Sequence, residues 1–233
     1  MKIYTDWNCR LLPGFSDQIR RPEDAATALE LLHERAGISR FSFLPEWNPS
    51  FCPATVFRIR LDTALKALQS LLRFPAVLSA SASVALQPQL AEWDDLRRFC
   101  LPKTDYLAIS VPLVPEDWVE SEVARFSRHS PFRILLTNAH LLSVFYPKEV
   151  LMRLATLPQI AFQFSFQSLS HPDHDEIIRT LLARHAPILL GSGVNSIEKA
   201  YGFDLASDRS EAEKRFYPFE IEEIFYGKRI FRR

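Results

Sequence analysis

The sequence predicts a single α/β domain in which parallel strands are joined by crossover helices. Short apolar or β-branched runs alternate with longer segments of helical periodicity from one end of the chain to the other. The length of 233 residues suits one large core. No proline- or glycine-rich linker and no internal repeat divides the sequence, so we expect one domain over residues 1–233.

The first helix has the clearest signals. Pro22 suits a first helical turn, and the two acidic residues that follow it complement the positive end of the helix dipole. Apolar residues then recur at helical spacing, and Gly37 follows as a stop signal. Residues 45–53 are rich in proline and aromatic side chains and predict a loop, after which residues 56–72 predict a second helix.

Seven strands are predicted. The first lies in the opening residues, and the other six are short apolar runs with helical segments between most of them. Ligands of parallel α/β proteins bind beyond the carboxyl ends of the strands, so the residues just after each run are the candidates for a site. The six runs span residues 39–44, 76–80, 106–111, 132–136, 159–164 and 187–190.

Composition argues against several classes of function. The 28 basic residues balance 28 acidic ones, which removes the long-range attraction that a nucleic-acid-binding domain would show. Cys9, Cys52 and Cys100 are far apart, so neither a disulfide framework nor a zinc knuckle is predicted. No signal peptide or membrane-length apolar run is found. We therefore expect a cytoplasmic protein without a membrane span, and a solvated basic tail at residues 228–233.

Common catalytic motifs are absent from the sequence. The segment 191–193, GSG, lacks the GxSxG pattern of a nucleophile elbow, and no cysteine belongs to a CX5R phosphate loop. With six glycines in all, the chain has no GxGxxG or GK[ST] nucleotide loop. The segment HPDHDE at 171–176 gathers metal-capable side chains, but its acidic residues fit the first turn of a helix running to Arg184.

The residues after the predicted strands resemble, in order, the motifs of one family. DWNCRLLPGFSD at 6–17 resembles the DIHxHILPGxDD opening of capsule-type tyrosine phosphatases in the PHP superfamily. LPEWNP at 44–49 resembles that family's TPHYNP turn, and YLAISVP at 106–112 resembles its YLLIELP strand. Segments 79–86, 135–142, 159–169 and 191–196 stand in the places of its GQEVRL, AHPERY, QINAGSL and ASDAHN motifs.

The resemblance implies a distorted (β/α)7 barrel, similar to a TIM barrel, and a cluster of Mn, Fe or Zn ions that activates water for phosphoester hydrolysis. Of the positions where the family binds metal, this sequence keeps Asp17 and places the carboxylate of Glu46 where the family has histidine. Amides bind transition metals poorly, and a guanidinium repels a cation. The remaining family positions carry Asn8, Arg10, Ser83, Ser110, Asn138, Gly193 and Asn195, with the register at Asn138 open by one residue.

We therefore expect a bacterial relative of the capsule phosphatases that has lost catalysis and uses a polar cleft for binding or regulation. The cleft suits a polar or anionic small molecule or a protein partner, and no metal is expected in it. Arg10 would hold a phosphate or a sugar carboxylate, or would neutralise Asp17 or Glu46 in a structural ion pair. The predicted pocket consists of Asn8, Arg10, Asp17, Glu46, Ser83, Asn138 and Asn195.

Two other hypotheses stay open at this point. In the first, the protein is a phosphoesterase with a rebuilt site, in which Asp17 and Glu46 do acid–base work or hold one Mn, Fe or Zn ion. In the second, the protein is a structural partner subunit and exposes an apolar patch larger than a few hundred Å².

Overall fold

The computed structural model describes residues 4–226, except for the side chains of residues 94 and 95, so the basic tail at 228–233 lies outside the described residues. Nine strands and nine α-helices lie within this range. The strands are β1 Tyr4–Asp6, β2 Ile38–Phe43, β3 Glu46–Trp47, β4 Val77–Ala80, β5 Ser83–Ala85, β6 Tyr106–Ser110, β7 Arg133–Leu136, β8 Ile160–Ser165 and β9 Ile188–Gly191. The helices are α1 Pro22–Ala36, α2 Ala54–Gln69, α3 Asp117–His129, α4 Ala139–Phe145, α5 Lys148–Ala155, α6 Asp175–Ala183, α7 Ile197–Tyr201, α8 Leu205–Glu213 and α9 Pro218–Tyr226.

The strands form two parallel sheets. One contains three strands in the order β1-β2-β4, and the other contains six in the order β3-β5-β6-β7-β8-β9. Every strand pair within the described residues is parallel. This confirms the predicted α/β class with crossover connections. No described helix is long and apolar enough to cross a bilayer.

Each of the seven predicted strands overlaps a strand of the structure, but two short strands were missed. β3 and β5 each follow a predicted strand after an interruption of two residues. The backbone N–H groups of Ser81 and Ser83 donate to the carbonyls of Phe43 and Pro45, at 3.0 Å each, so the two interruptions run side by side. The prediction of loop at 45–53 is therefore wrong at its start, and the second helix begins and ends two to three residues earlier than predicted.

Backbone hydrogen bonds also join the chain after β1 to the end of β9 and the residues that follow it. Trp7 N–H donates to the carbonyl of Leu190 at 2.9 Å, and Arg10 N–H donates to the carbonyl of Val194 at 3.0 Å. The approach is so close that a Cβ atom on Gly191 would lie 2.6 Å from the Cβ of Asn8. The residues that follow the first and last strands are therefore neighbours.

The six-stranded sheet is apolar on both faces. Because side chains alternate along a strand, Leu107 and Ile109 of β6 join a large cluster with the helices, whereas Ala108 between them joins a separate small one. Both faces are thus covered, as in other parallel sheets. The small cluster consists of Trp7, Leu44, Leu101, Tyr106, Ala108, Leu135, Ala161 and Leu189.

Gly37 ends the first helix in the left-handed conformation that its sequence position predicts. Its φ is 67°, and its N–H donates to the carbonyl of His33 at 2.9 Å. Replacing Gly37 by alanine is expected to cost about 1 kcal/mol of stability, because a Cβ atom is strained at positive φ. Gly37→Asn should cost less, since asparagine tolerates this region. Urea unfolding of both variants measures the difference, and equal stabilities would contradict it.

The segment 171–176 begins a helix, as its acidic residues predicted. Asp175 and Glu176 lie in the first turn of α6, and they form ion pairs with Arg215 and Lys148, respectively. His174 is buried, and its Nδ1 shares a hydrogen bond of 3.2 Å with the hydroxyl of Ser143. These side chains therefore stabilise the start of the helix.

Candidate functional site

A cavity of about 390 Å³ opens at the carboxyl ends of the strands. Cys9 and Arg10 enter it after β1, Pro45 after β2, and Asn138 after β7. Apolar side chains, among them that of Phe15, form part of its wall. Six of the seven residues predicted for the pocket line this cavity, namely Arg10, Asp17, Glu46, Ser83, Asn138 and Asn195.

Asn8, the seventh predicted residue, does not line the cavity but supports it from the interior. Its buried Nδ2 donates to Oδ1 of Asn138 at 3.0 Å and to Oε1 of Gln163 at 2.9 Å. Gln163 Oε1 also accepts from the backbone N–H of Asn138 at 2.9 Å. These bonds fix Asn138, which precedes α4 in the left-handed conformation at φ 55°. The three amides therefore form one satisfied network.

Arg10 brings a positive charge to the cavity. Its Nη2 donates to Oδ1 of Asn138 at 2.7 Å, so the amide network orients the guanidinium. Loss of hydration lowers the pKa of Arg10, and the nearby carboxylate of Glu46 acts in the opposite direction. Among the described side chains, no carboxylate forms an ion pair with Arg10. The structural ion pair with Asp17 or Glu46 is therefore not what the structure contains.

The other predicted residues have different partners. Ser110, at the end of β6, donates its hydroxyl to Oε2 of Glu46 at 2.8 Å. Ser83 shares a hydrogen bond of 2.8 Å with the hydroxyl of Thr137, and Asp17 is exposed at the rim of the cavity. Asn195 Oδ1 is buried and accepts no hydrogen bond from a described group.

A buried carboxylate lies beside the cavity and was missed by sequence reasoning. Asp6 accepts from the backbone N–H of Asn8 at 3.1 Å, and from the N–H and hydroxyl of Ser192 at 2.9 and 2.5 Å. Burial raises the pKa of Asp6, and burial together with this carboxylate raises the pKa of the Cys9 thiol. Cys9 is therefore a protonated thiol at neutral pH.

His140, in the first turn of α4, was also missed by sequence reasoning. His140 Nδ1 accepts from the backbone N–H of Ser165 at 3.2 Å. Burial lowers the pKa of His140 to about 4, and electrostatic interactions with His174 and Arg10 add to the effect. Burial lowers the pKa of His174 as well. Both imidazoles are neutral at physiological pH.

The residues at the cavity do not fit the metal cluster that the resemblance implies. Arg10 and the amides stand where the resemblance implies metal-binding histidines, and Asn8 uses its Nδ2 for hydrogen bonds inside the protein. Among the described residues, no group of three or more His, Cys, Asp or Glu side chains is placed to hold an ion. The donor set offers two carboxylates, Asp17 and Glu46, beside a guanidinium that repels a cation.

The fold is similar to that of a solved structure described as a metal-dependent tyrosine phosphatase, which supports the PHP-like fold expected from the sequence. The similar structure comes from work on YwqE from Bacillus subtilis and CpsB from Streptococcus pneumoniae, unique metal-dependent tyrosine phosphatases. The match covers 97% of this chain and 94% of that chain, with a TM-score of 0.73 and 15% identity.

A zinc-bound amidohydrolase from Burkholderia ambifaria matches with a TM-score of 0.44 and 13% identity, over 91% of this chain and 68% of that chain. The sequence matches no family model and no curated protein sequence. What the comparisons establish is a fold shared with the tyrosine phosphatase structure.

Proposed function

We propose that this protein binds a small molecule with an anionic group and does not hydrolyse phosphoesters. The observation that carries the proposal is the oriented guanidinium of Arg10, which enters the cavity at a position where the resemblance implies a metal-binding histidine. A protein of this kind would act through binding or regulation.

The scaffold in this proposal is one distorted seven-stranded barrel. β2 and β3 count as one interrupted strand, and β4 and β5 as another, because their interruptions are paired. The hydrogen bond from Trp7 to Leu190 supports closure between the first and last strands, and the small apolar cluster would then fill the interior. The cavity would lie at the mouth of the barrel, where barrel proteins bind ligands.

Arg10 is prepared to bind an acid group. Asn138 occupies one terminal nitrogen of the guanidinium, and the other donors remain for a carboxylate or phosphate. The orientation is fixed before binding, because Asn138 is itself held by Asn8 and Gln163. A group that needs no ordering on binding loses less entropy, so this arrangement favours affinity.

The proposal predicts that binding of small anions depends on Arg10. Calorimetric titration with phosphate, citrate and glucuronate at low ionic strength should detect binding to the wild-type protein. Arg10→Gln is expected to weaken it at least tenfold, because a charge-assisted hydrogen bond contributes about 1.5–3 kcal/mol. Arg73→Gln, at an exposed position that does not line the cavity, is the matched control and should bind as the wild type does.

Two results would contradict the proposal. Equal affinities of wild type and Arg10→Gln would remove Arg10 from the site. Manganese-dependent hydrolysis of an aryl phosphate by the purified protein would show that the scaffold has kept its catalytic chemistry.

The alternative function is a phosphoesterase with a rebuilt site. One observation favours it, since Asp17 and Glu46 line the same cavity. In that case protein purified without chelator should contain stoichiometric Mn, Fe or Zn, and Asp17→Asn and Glu46→Gln should each lower both metal content and hydrolysis. Substoichiometric metal by mass spectrometry would speak against this alternative.

A further inference from the structure

The cavity contains opposite charges that do not pair with each other. Arg10 is held by the neutral amide of Asn138, and Glu46 is held by the neutral hydroxyl of Ser110. Glu46 is close enough to affect the pKa of Arg10, yet the two form no ion pair. Two hydrogen bonds to uncharged groups thus keep the charges apart.

The charges around the cavity also restrict which charged groups a ligand can carry. One guanidinium, from Arg10, faces two carboxylates, from Asp17 and Glu46, and no other charged side chain lines the cavity within the described residues. A ligand with acid groups alone would be attracted by Arg10 and repelled by the two carboxylates, so we expect it to bind only weakly. A ligand that carries one acid group and one amine would complement both the guanidinium and the carboxylates.

We propose that the ligand is a zwitterion whose carboxylate binds Arg10 and whose protonated amine binds Glu46. This inference rests on the proposed function and specifies its ligand. Oε1 of Glu46 remains available to accept from an ammonium group, because Ser110 bonds to Oε2. The ligand bridges the two charges, and no internal ion pair has to break when it enters.

The positioning serine is a necessary part of the inference. Unpaired opposite charges in one cavity attract each other, and the attraction grows as water is excluded. Without the hydroxyl of Ser110, Glu46 would be free to turn toward Arg10 and close the gap between the two charges. Ser110 is thus a positioning residue, and Glu46 is the residue that would contact the ligand.

The test uses the full chain and a panel of α-, β- and γ-amino acids, screened by thermal shift and measured by calorimetry. Each amino acid that binds is compared with its N-acetyl derivative, which lacks the positive charge, and with its methyl ester, which lacks the negative charge. We expect both derivatives to bind at least tenfold more weakly than the parent amino acid.

The variants distinguish the contribution of Glu46 to binding from that of Arg10. Glu46→Gln should weaken the amino acid about tenfold and bind the N-acetyl derivative at least as well as the wild type does, whereas Arg10→Gln should weaken both. Ser110→Ala keeps both charges but frees Glu46 to pair with Arg10, so it should weaken the amino acid and its N-acetyl derivative alike. Glu34→Gln, at an exposed position of α1, is the control for the loss of a carboxylate.

The outcomes distinguish this inference from the proposed function. Equal binding of amino acids and their N-acetyl derivatives, or no binding of any amino acid, would overturn the proposal of a zwitterionic ligand. The proposed anion site at Arg10 would be unaffected by either result. Binding that Arg10→Gln does not change would overturn the proposed function itself. Thermal unfolding of each variant shows that a lost affinity is not a lost fold.

Discussion

Replacing Gly191 by alanine is expected to destabilise the protein by about 3 kcal/mol or more. The new Cβ atom would lie 2.6 Å from the Cβ and 2.7 Å from the backbone nitrogen of Asn8. Because the second contact is with backbone, no side-chain rotation relieves it, and the chain after β1 would have to move away from β9. Urea unfolding monitored by tryptophan fluorescence measures the loss.

Two comparisons sharpen this test. Gly202→Ala should be nearly neutral, because its Cβ atom would come no closer than 3.6 Å to its nearest neighbour, the carbonyl of Glu198. Adding Asn8→Gly to Gly191→Ala should restore little of the lost stability, since the backbone nitrogen of residue 8 stays in place. A Gly191→Ala protein as stable as the wild type would mean that these two segments are not in contact.

The second large effect is a loss of stability in acid caused by His140. Its pKa is about 4 in the folded protein, whereas the ordinary pKa of a histidine side chain is 6.5. The unfolded chain therefore takes up a proton as the pH falls below 6.5, whereas the folded protein takes it up only near pH 4. The stabilisation is complete above 6.5 and is lost as the pH falls through this window, by about 2 kcal/mol between pH 7.5 and pH 5.

His140→Asn should remove this pH dependence. Asparagine keeps an acceptor near the position of Nδ1 for the N–H of Ser165 but does not titrate. We expect the difference in unfolding free energy between pH 7.5 and pH 5 to be about 2 kcal/mol smaller in this variant than in the wild type. His129→Asn, at an exposed helix end, is the control. Parallel pH profiles of the wild type and His140→Asn would contradict the prediction.

The strands were predictable where the hydrophobic run is long enough for its periodicity to be recognised. β2, β6, β7 and β8 are runs of four to six residues with mostly buried side chains, and each coincides with a predicted strand. β3 and β5 have two and three residues, which is too short for a period to be visible, and Pro45 next to β3 suggested a loop.

The lining of the cavity was predictable because parallel strands bring the residues after them to one edge. That rule directed attention to the residues after each strand, and the resemblance to the family's motifs selected Arg10, Glu46 and Asn138 among them. It did not select Gln163, whose partner Asn8 is 155 residues away in sequence. A signal for Gln163 exists, since it is the one amide in the otherwise apolar or small-residue run of β8 between two phenylalanines.

The bond between Asp6 and Ser192 has a consequence for the order of folding. It links residues 186 positions apart, so Asp6 meets Ser192 only after most of the chain has been synthesised. Until then a nascent chain can pair β1 with β2 alone, and its carboxylate at residue 6 remains hydrated. Because contacts of such long sequence separation form slowly, the joining of the two chain segments should be a late step in the biogenesis of this protein.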